Sequence, residues 1–144
     1  MLALPLALSA CGGGSGEAAA TLTKARFLRK GNAICARGGR ELIKLSVEGW
    51  KKYRVKEHHT SQAVEDELVR SMLPVRKEEV RRIRALGLPR GEGKRVQRVL
   101  AAWEEGIEKG EADPHSLRES GPGSAFYESS AMGIDYGLVK CWLG

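Results

Sequence analysis

Three cysteines, Cys11, Cys35 and Cys141, are the residues of this 144-residue chain whose type and placement best suit chemistry. A thiolate can ligate zinc, attack an electrophile, pair with a second thiol or carry a lipid. Spacing argues against zinc: no Cys-x-x-Cys occurs, and His58, His59 and His115 are scattered. His58 and His59 follow Glu57, but neighbours in a short turn between helices project apart, so both read as solvated. Nothing in the order of Ser, His and Asp places a nucleophile beside a base. The glycine-rich Gly12-Gly13-Gly14-Ser15-Gly16 lacks the preceding strand and the closing Lys-Ser or Lys-Thr of a phosphate loop. Glu78 and Glu79, like Glu104 and Glu105, alternate with Arg and Lys at helical spacing and read as surface ion pairs. Asp66, between Glu65 and Glu67, reads as the first turn of a helix, where acidic groups match the helix dipole. The sequence therefore predicts a non-enzymatic protein with no cofactor and no metal.

What remains is the chemistry of the cysteines themselves. Residues 1–10 are apolar or small and end Leu8-Ser9-Ala10-Cys11, directly before the Gly/Ser run. This ending resembles a lipobox, the site at the close of a bacterial lipoprotein signal. In such signals the Cys takes a diacylglyceryl group and the chain is cut just before it. An apolar segment partitions into the bilayer, small residues fit the peptidase, and a Gly/Ser tether lets the folded part stand off the membrane. No Lys or Arg precedes Cys11, which departs from the pattern and leads us to expect a true start upstream of Met1. The alternative is an ordinary apolar N-terminal turn tucked into the core. With Cys11 lipidated, Cys35 and Cys141 remain, an even number suited to an oxidising compartment. A bond between them would close a loop of about a hundred residues, a constraint worth roughly 4–5 kcal/mol on the chain-entropy model. The alternative is two separate buried thiols in a cytoplasmic protein.

The chain must then supply a domain around that bond. Hydrophobic content of 42% suits a globular chain, and aromatics are only 6%. Lys, Arg, Glu, Ala and Leu dominate, which points to an all-α fold. The net charge of +6 is unevenly spread. Residues 23–58 carry eleven basic against three acidic groups, residues 59–112 eleven against ten, and residues 113–144 two against four. A basic stretch favours phosphate-rich partners.

The spacing predicts three long helices and a short C-terminal one. The first runs from an N-cap at Thr23 to about Lys56, with Leu28, Gly31, Cys35, Gly38, Leu42, Leu45 and Gly49 on one face. Its glycines could let another helix approach closely, and Gly38-Gly39 could kink it. The second spans about Gln62 to Leu86 after a cap at Thr60 or Ser61, with Val64, Leu68, Met72, Val75, Ile83 and Leu86 inward. Pro74 should kink or divide it. The third spans about Glu92 to Lys109, with Val96, Val99, Leu100, Trp103 and Ile107 inward. A loop over residues 110–123 leads to a weak last helix, about Ser124 to Lys140. Trp50, Tyr53, Trp103, Tyr127 and Tyr136 are expected in the core. No second apolar run is long enough to span a membrane. The boundaries are residues 1–10 as a signal remnant, 11–22 as lipidated Cys and linker, and 23–144 as the helical domain.

The strings LTKARFLRKGNAIC, LGLPRGEGKRVQRVL, EKGEADP and YGLVKC together resemble short secreted lipoproteins common in actinobacteria. These share a Leu-Thr-Lys-x-x-Phe…Ile-Cys start, a Leu-x-x-Pro helix break and a Tyr-Gly-Leu-x-x-Cys end. The resemblance covers most of residues 22–141 and contributes no catalytic residue. It implies a helical fold and the Cys35–Cys141 pairing. Trp142-Leu143-Gly144 extends beyond it with no evident consequence.

Together these readings predict an envelope lipoprotein at the extracytoplasmic face of the cell membrane, serving as a binding or interaction module. Lys24, Arg26, Arg29 and Lys30, nearest the anchor, are its candidate contacts with anionic lipid or wall polymer. No nucleic-acid partner is expected on this reading. The competing one is a cytoplasmic, basic, helical nucleic-acid-binding protein.

Overall fold

The computed structural model describes residues 22–53 and 61–142. Cys11, residues 12–21 of the proposed linker, His58, His59, Leu143 and Gly144 lie outside the described residues, while Leu22, the last residue assigned to the linker, packs against the core. Within them the protein is all-helical, with no strand.

The first helix, α1, spans Lys24–Lys52. Thr23 caps it as the sequence predicts: its hydroxyl accepts from the Arg26 N–H at 3.2 Å. Lys51 and Lys52 in the last turn suit the negative end of the helix dipole. The helix runs unbroken through Gly38 and Gly39.

The expected second helix is two: α2 spans Gln62–Arg70 and α3 spans Leu73–Ala85. Pro74 lies in the first turn of α3, where its missing N–H costs nothing, and it cannot continue α2. Ser71 ends α2 by donating its hydroxyl to the Leu68 carbonyl at 2.6 Å. Beyond α3 the chain turns through Gly87 (φ 81°) and Gly91 (φ 77°) around a buried Pro89. There the Arg90 N–H donates to the Leu22 carbonyl at 3.0 Å. The helix α4, Gly93–Ala112, exceeds the expected span at its C-terminal end. Two 3-10 turns, Pro114–Leu117 and Gly121–Gly123, occupy the expected loop.

The last helix, α5, spans only Tyr127–Tyr136. Gly137 (φ 109°) stops it, and the Leu138 N–H donates to the Gly133 carbonyl at 2.8 Å while the Gly137 N–H reaches Ile134 at 3.0 Å. This double return of bonds to the last carbonyls needs a left-handed residue at position 137, and glycine adopts it without Cβ strain. A 3-10 turn, Val139–Cys141, follows.

The core sits around α4, which packs on α3 and on α5, while α1 packs on α3 and on the 139–141 turn. All five predicted inward residues of α4 are buried, with Trp103 fully enclosed at the centre. Phe27, Ile83, Tyr136 and Leu138 complete the shell around it. The aromatics divide: Trp103 and Tyr136 are core, but Trp50 and Tyr127 are 42% and 49% exposed, contrary to expectation.

Candidate functional site

The two ends of the domain meet in one clamp. Cys35 and Cys141 form a disulfide across a sequence separation of 106, with Cα atoms 4.8 Å apart. One helical turn before Cys35, Asn32 donates its amide to the Gly137 carbonyl and accepts from the Lys140 N–H, both at 2.9 Å. Gly31 lies under Leu138, and Phe27 meets the Tyr136 ring edge-on at 6.1 Å. The Leu-Thr-Lys start and the Tyr-Gly-Leu end, far apart in sequence, are thus the two faces of a single contact. Trp142, in the extension read as inconsequential, packs against Trp103 with ring centroids 4.6 Å apart and the rings tilted by 53°, and it covers Gly133.

Glu79 requires a correction. Read from sequence as part of a surface pair, it is 2% exposed and stands against the Cα of Gly38. A Cβ at position 38 would collide with its carboxylate. One carboxylate oxygen accepts from Arg76 at 2.9 Å, and the same guanidinium nitrogen donates to the Cys141 carbonyl at 3.0 Å. The other oxygen has no hydrogen-bond partner. Burial pushes the Glu79 carboxyl above the ordinary carboxylate range, against the pull of Arg76. Its neighbour Glu78 behaves oppositely: hydrogen bonds from Arg81 and Arg82 hold it down at about 2. The signal for Glu79 was present in the spacing. Position 79 falls on the inward stripe between Val75 and Ile83, four residues from each, where an apolar side chain would be expected. A groove of about 320 Å³ opens beside it, with Ile34 and Val75 on its walls and Arg37, Glu41 and Arg82 at its rim.

The basic candidates on α1 separate. Lys24 turns toward the fold, 3.8 Å from Glu92 and 4.8 Å from the centre of the Tyr136 ring. Arg26, Arg29 and Lys30 are exposed. Farther along, Arg40, Lys44 and Lys51 are exposed as well, beside Ile43, Val47 and Trp50, which are 65%, 47% and 42% exposed. Sequence reasoning passed over this outer face because it followed the inner stripe, yet Ile43, Val47 and Trp50 recur at four- and three-residue spacing.

The acidic residues around Asp66 also serve the fold. Arg118 pairs with Glu65 and lies 3.3 Å from Asp66, tying the 114–117 turn to α2. Among the described residues no group of three His, Cys, Asp or Glu side chains is placed to hold a metal ion. No helix among them is long and apolar enough to cross a membrane. Comparison with family models, with curated proteins and with solved structures finds no match to this chain.

Proposed function

We propose that this chain is a lipoprotein of the cell envelope, anchored through a diacylglyceryl group on Cys11 and acting as a non-enzymatic binding module outside the cytoplasmic membrane. The observation that carries the reading is the Cys35–Cys141 bond. Such a bond persists in oxidising compartments and is rare in the cytosol, which weighs against the nucleic-acid alternative. It also uses two of the three cysteines and leaves Cys11, at the lipobox-like Leu8-Ser9-Ala10-Cys11, as the odd one. The resemblance to short actinobacterial lipoproteins points the same way. On this reading the folded part is a small stapled helical bundle whose exposed Arg26, Arg29 and Lys30 face anionic lipid or wall polymer.

Intact mass of the native protein taken from membranes, before and after reduction, tests the proposal. The expected species begins at Cys11, carries a diacylglyceryl group there, and gains two hydrogens on reduction. An unmodified species with its apolar N-terminus intact would overturn the anchor, and one unchanged by reduction would overturn the oxidising address.

A further inference from the structure

We propose that the outer face of the second half of α1 lies in the surface of an anionic bilayer, with Ile43, Val47 and Trp50 entering the headgroup region and Arg40, Lys44 and Lys51 on lipid phosphates. The inference deepens the envelope reading by naming the surface that meets the membrane, and it does not depend on the lipid at Cys11.

At 100° per residue Ile43, Val47 and Trp50 share one face of α1, turned away from the buried Phe27, Gly31, Cys35 and Gly38. Arg40, Lys51 and Lys44 line one edge of it, with Arg40 nearest to Val47. Glu41 and Glu48 fall beyond that edge, on the side away from the apolar residues. Among the described residues none of Arg40, Lys44 and Lys51 forms an ion pair with a carboxylate. A helix face that combines large apolar side chains with a basic edge suits the boundary between phosphates and acyl chains. Tryptophan favours the same depth, because its ring is apolar and its N–H is polar. A protein partner fits less well, since lysine is depleted in protein interfaces. A nucleic acid would engage the cations but leave Ile43 and Val47 in water.

Trp50 reports on its own burial. Trp103 is enclosed and Trp142 is packed against it, so neither is placed to meet lipid. The test uses the full chain with Cys11→Ser, mixed with vesicles of phosphatidylglycerol or of phosphatidylcholine brominated high on the acyl chains. The expected result is quenching of tryptophan emission by the anionic vesicles, little by the neutral ones, and none in Trp50→Phe. Changing Arg40, Lys44 and Lys51 to Gln should raise the lipid concentration for half-quenching about fivefold per charge at low salt. Ile43→Ser with Val47→Ser should weaken the response at physiological salt too, because apolar burial is not screened. Trp50 emission indifferent to both vesicles would overturn the proposal, as would equal quenching by both. A Trp50 response to protein concentration alone would assign the face to a second copy, and one to duplex DNA but not vesicles would assign it to nucleic acid; either overturns it. Failure here with a lipidated Cys11 in the native protein would leave the anchor standing.

Discussion

The two halves of α1 have similar periodicity and opposite fates. Residues 24–38 bury Phe27, Gly31, Cys35 and Gly38 and hold the C-terminal clamp. Residues 39–52 bury no residue fully, and their inner positions Leu42, Leu45 and Gly49 are only partly covered. Leu68 of α2 lies against Gly49, while α3 and the 139–141 turn pack on the helix as a whole. The difference teaches that a helical stripe specifies a face, whereas burial depends on what tertiary structure brings opposite it. The division at Ser71 and Met72 makes α2 a short helix of nine residues, tied to the 114–117 turn by Arg118. Among the described residues, little then remains to cover the end of α1.

Opening the disulfide should disturb this arrangement most. Cys35→Ala with Cys141→Ala frees a loop of sequence separation 106. The expected loss is about 4–5 kcal/mol in urea denaturation, a large share of the stability of a domain this size. A loss under about 1 kcal/mol would mean that packing alone holds the clamp.

Truncation on each half sharpens the contrast. Phe27, fully enclosed, should cost about 3–5 kcal/mol as Phe27→Ala, while Ile43→Ala, at 65% exposure, should stay within about 0.5 kcal/mol. Comparable costs would show that the outer face is covered within the protein.

The adjacent glycines make a finer test. Gly38→Ala forces Glu79 away and should destabilise by about 1–3 kcal/mol. A Cβ at Gly39 meets nothing within 4 Å, so Gly39→Ala should stabilise by up to about 1 kcal/mol. Melting temperatures moving in opposite directions would locate the boundary between the halves to one residue.

The smallest expected effect is that of pH at Glu79. Its folded pKa is raised above the ordinary 4.5, so the proton is bound more tightly in the folded state. That contribution is full below pH 4.5 and is lost as pH rises through the folded value. Glu79→Gln cannot ionise and keeps an acceptor for Arg76. Its melting temperature should therefore gain on the native protein between acid and neutral pH, and a constant difference across that range would contradict the assignment.

Much of this was legible in the sequence. Thr23 as cap, the break at Pro74, the inward face of α4 and the Cys35–Cys141 bond rest on local chemistry or on parity, and the structure bears them out. Glu79 was misread because its alternation with arginines matched a surface pattern, and only the absence of a side chain on Gly38 makes room for it. Trp142 was passed over because a residue just past the last cysteine gives no periodic signal; its partner Trp103 lies 39 positions earlier. The exposure of Trp50 was hidden by the general tendency of aromatics to be core. The lipid site at Cys11 rests on the sequence, outside the described residues.

Hydrogen exchange along α1 of the full chain, with and without anionic vesicles, tests the central claim most directly. We predict that amides of residues 27–38 open only with the whole domain, while those of residues 40–52 exchange at least about tenfold faster by local opening. Adding phosphatidylglycerol vesicles should slow the second group and leave the first unchanged. Uniform exchange along the helix, or a second group indifferent to the vesicles, would contradict the account of a helix half built into a stapled core and half presented to lipid.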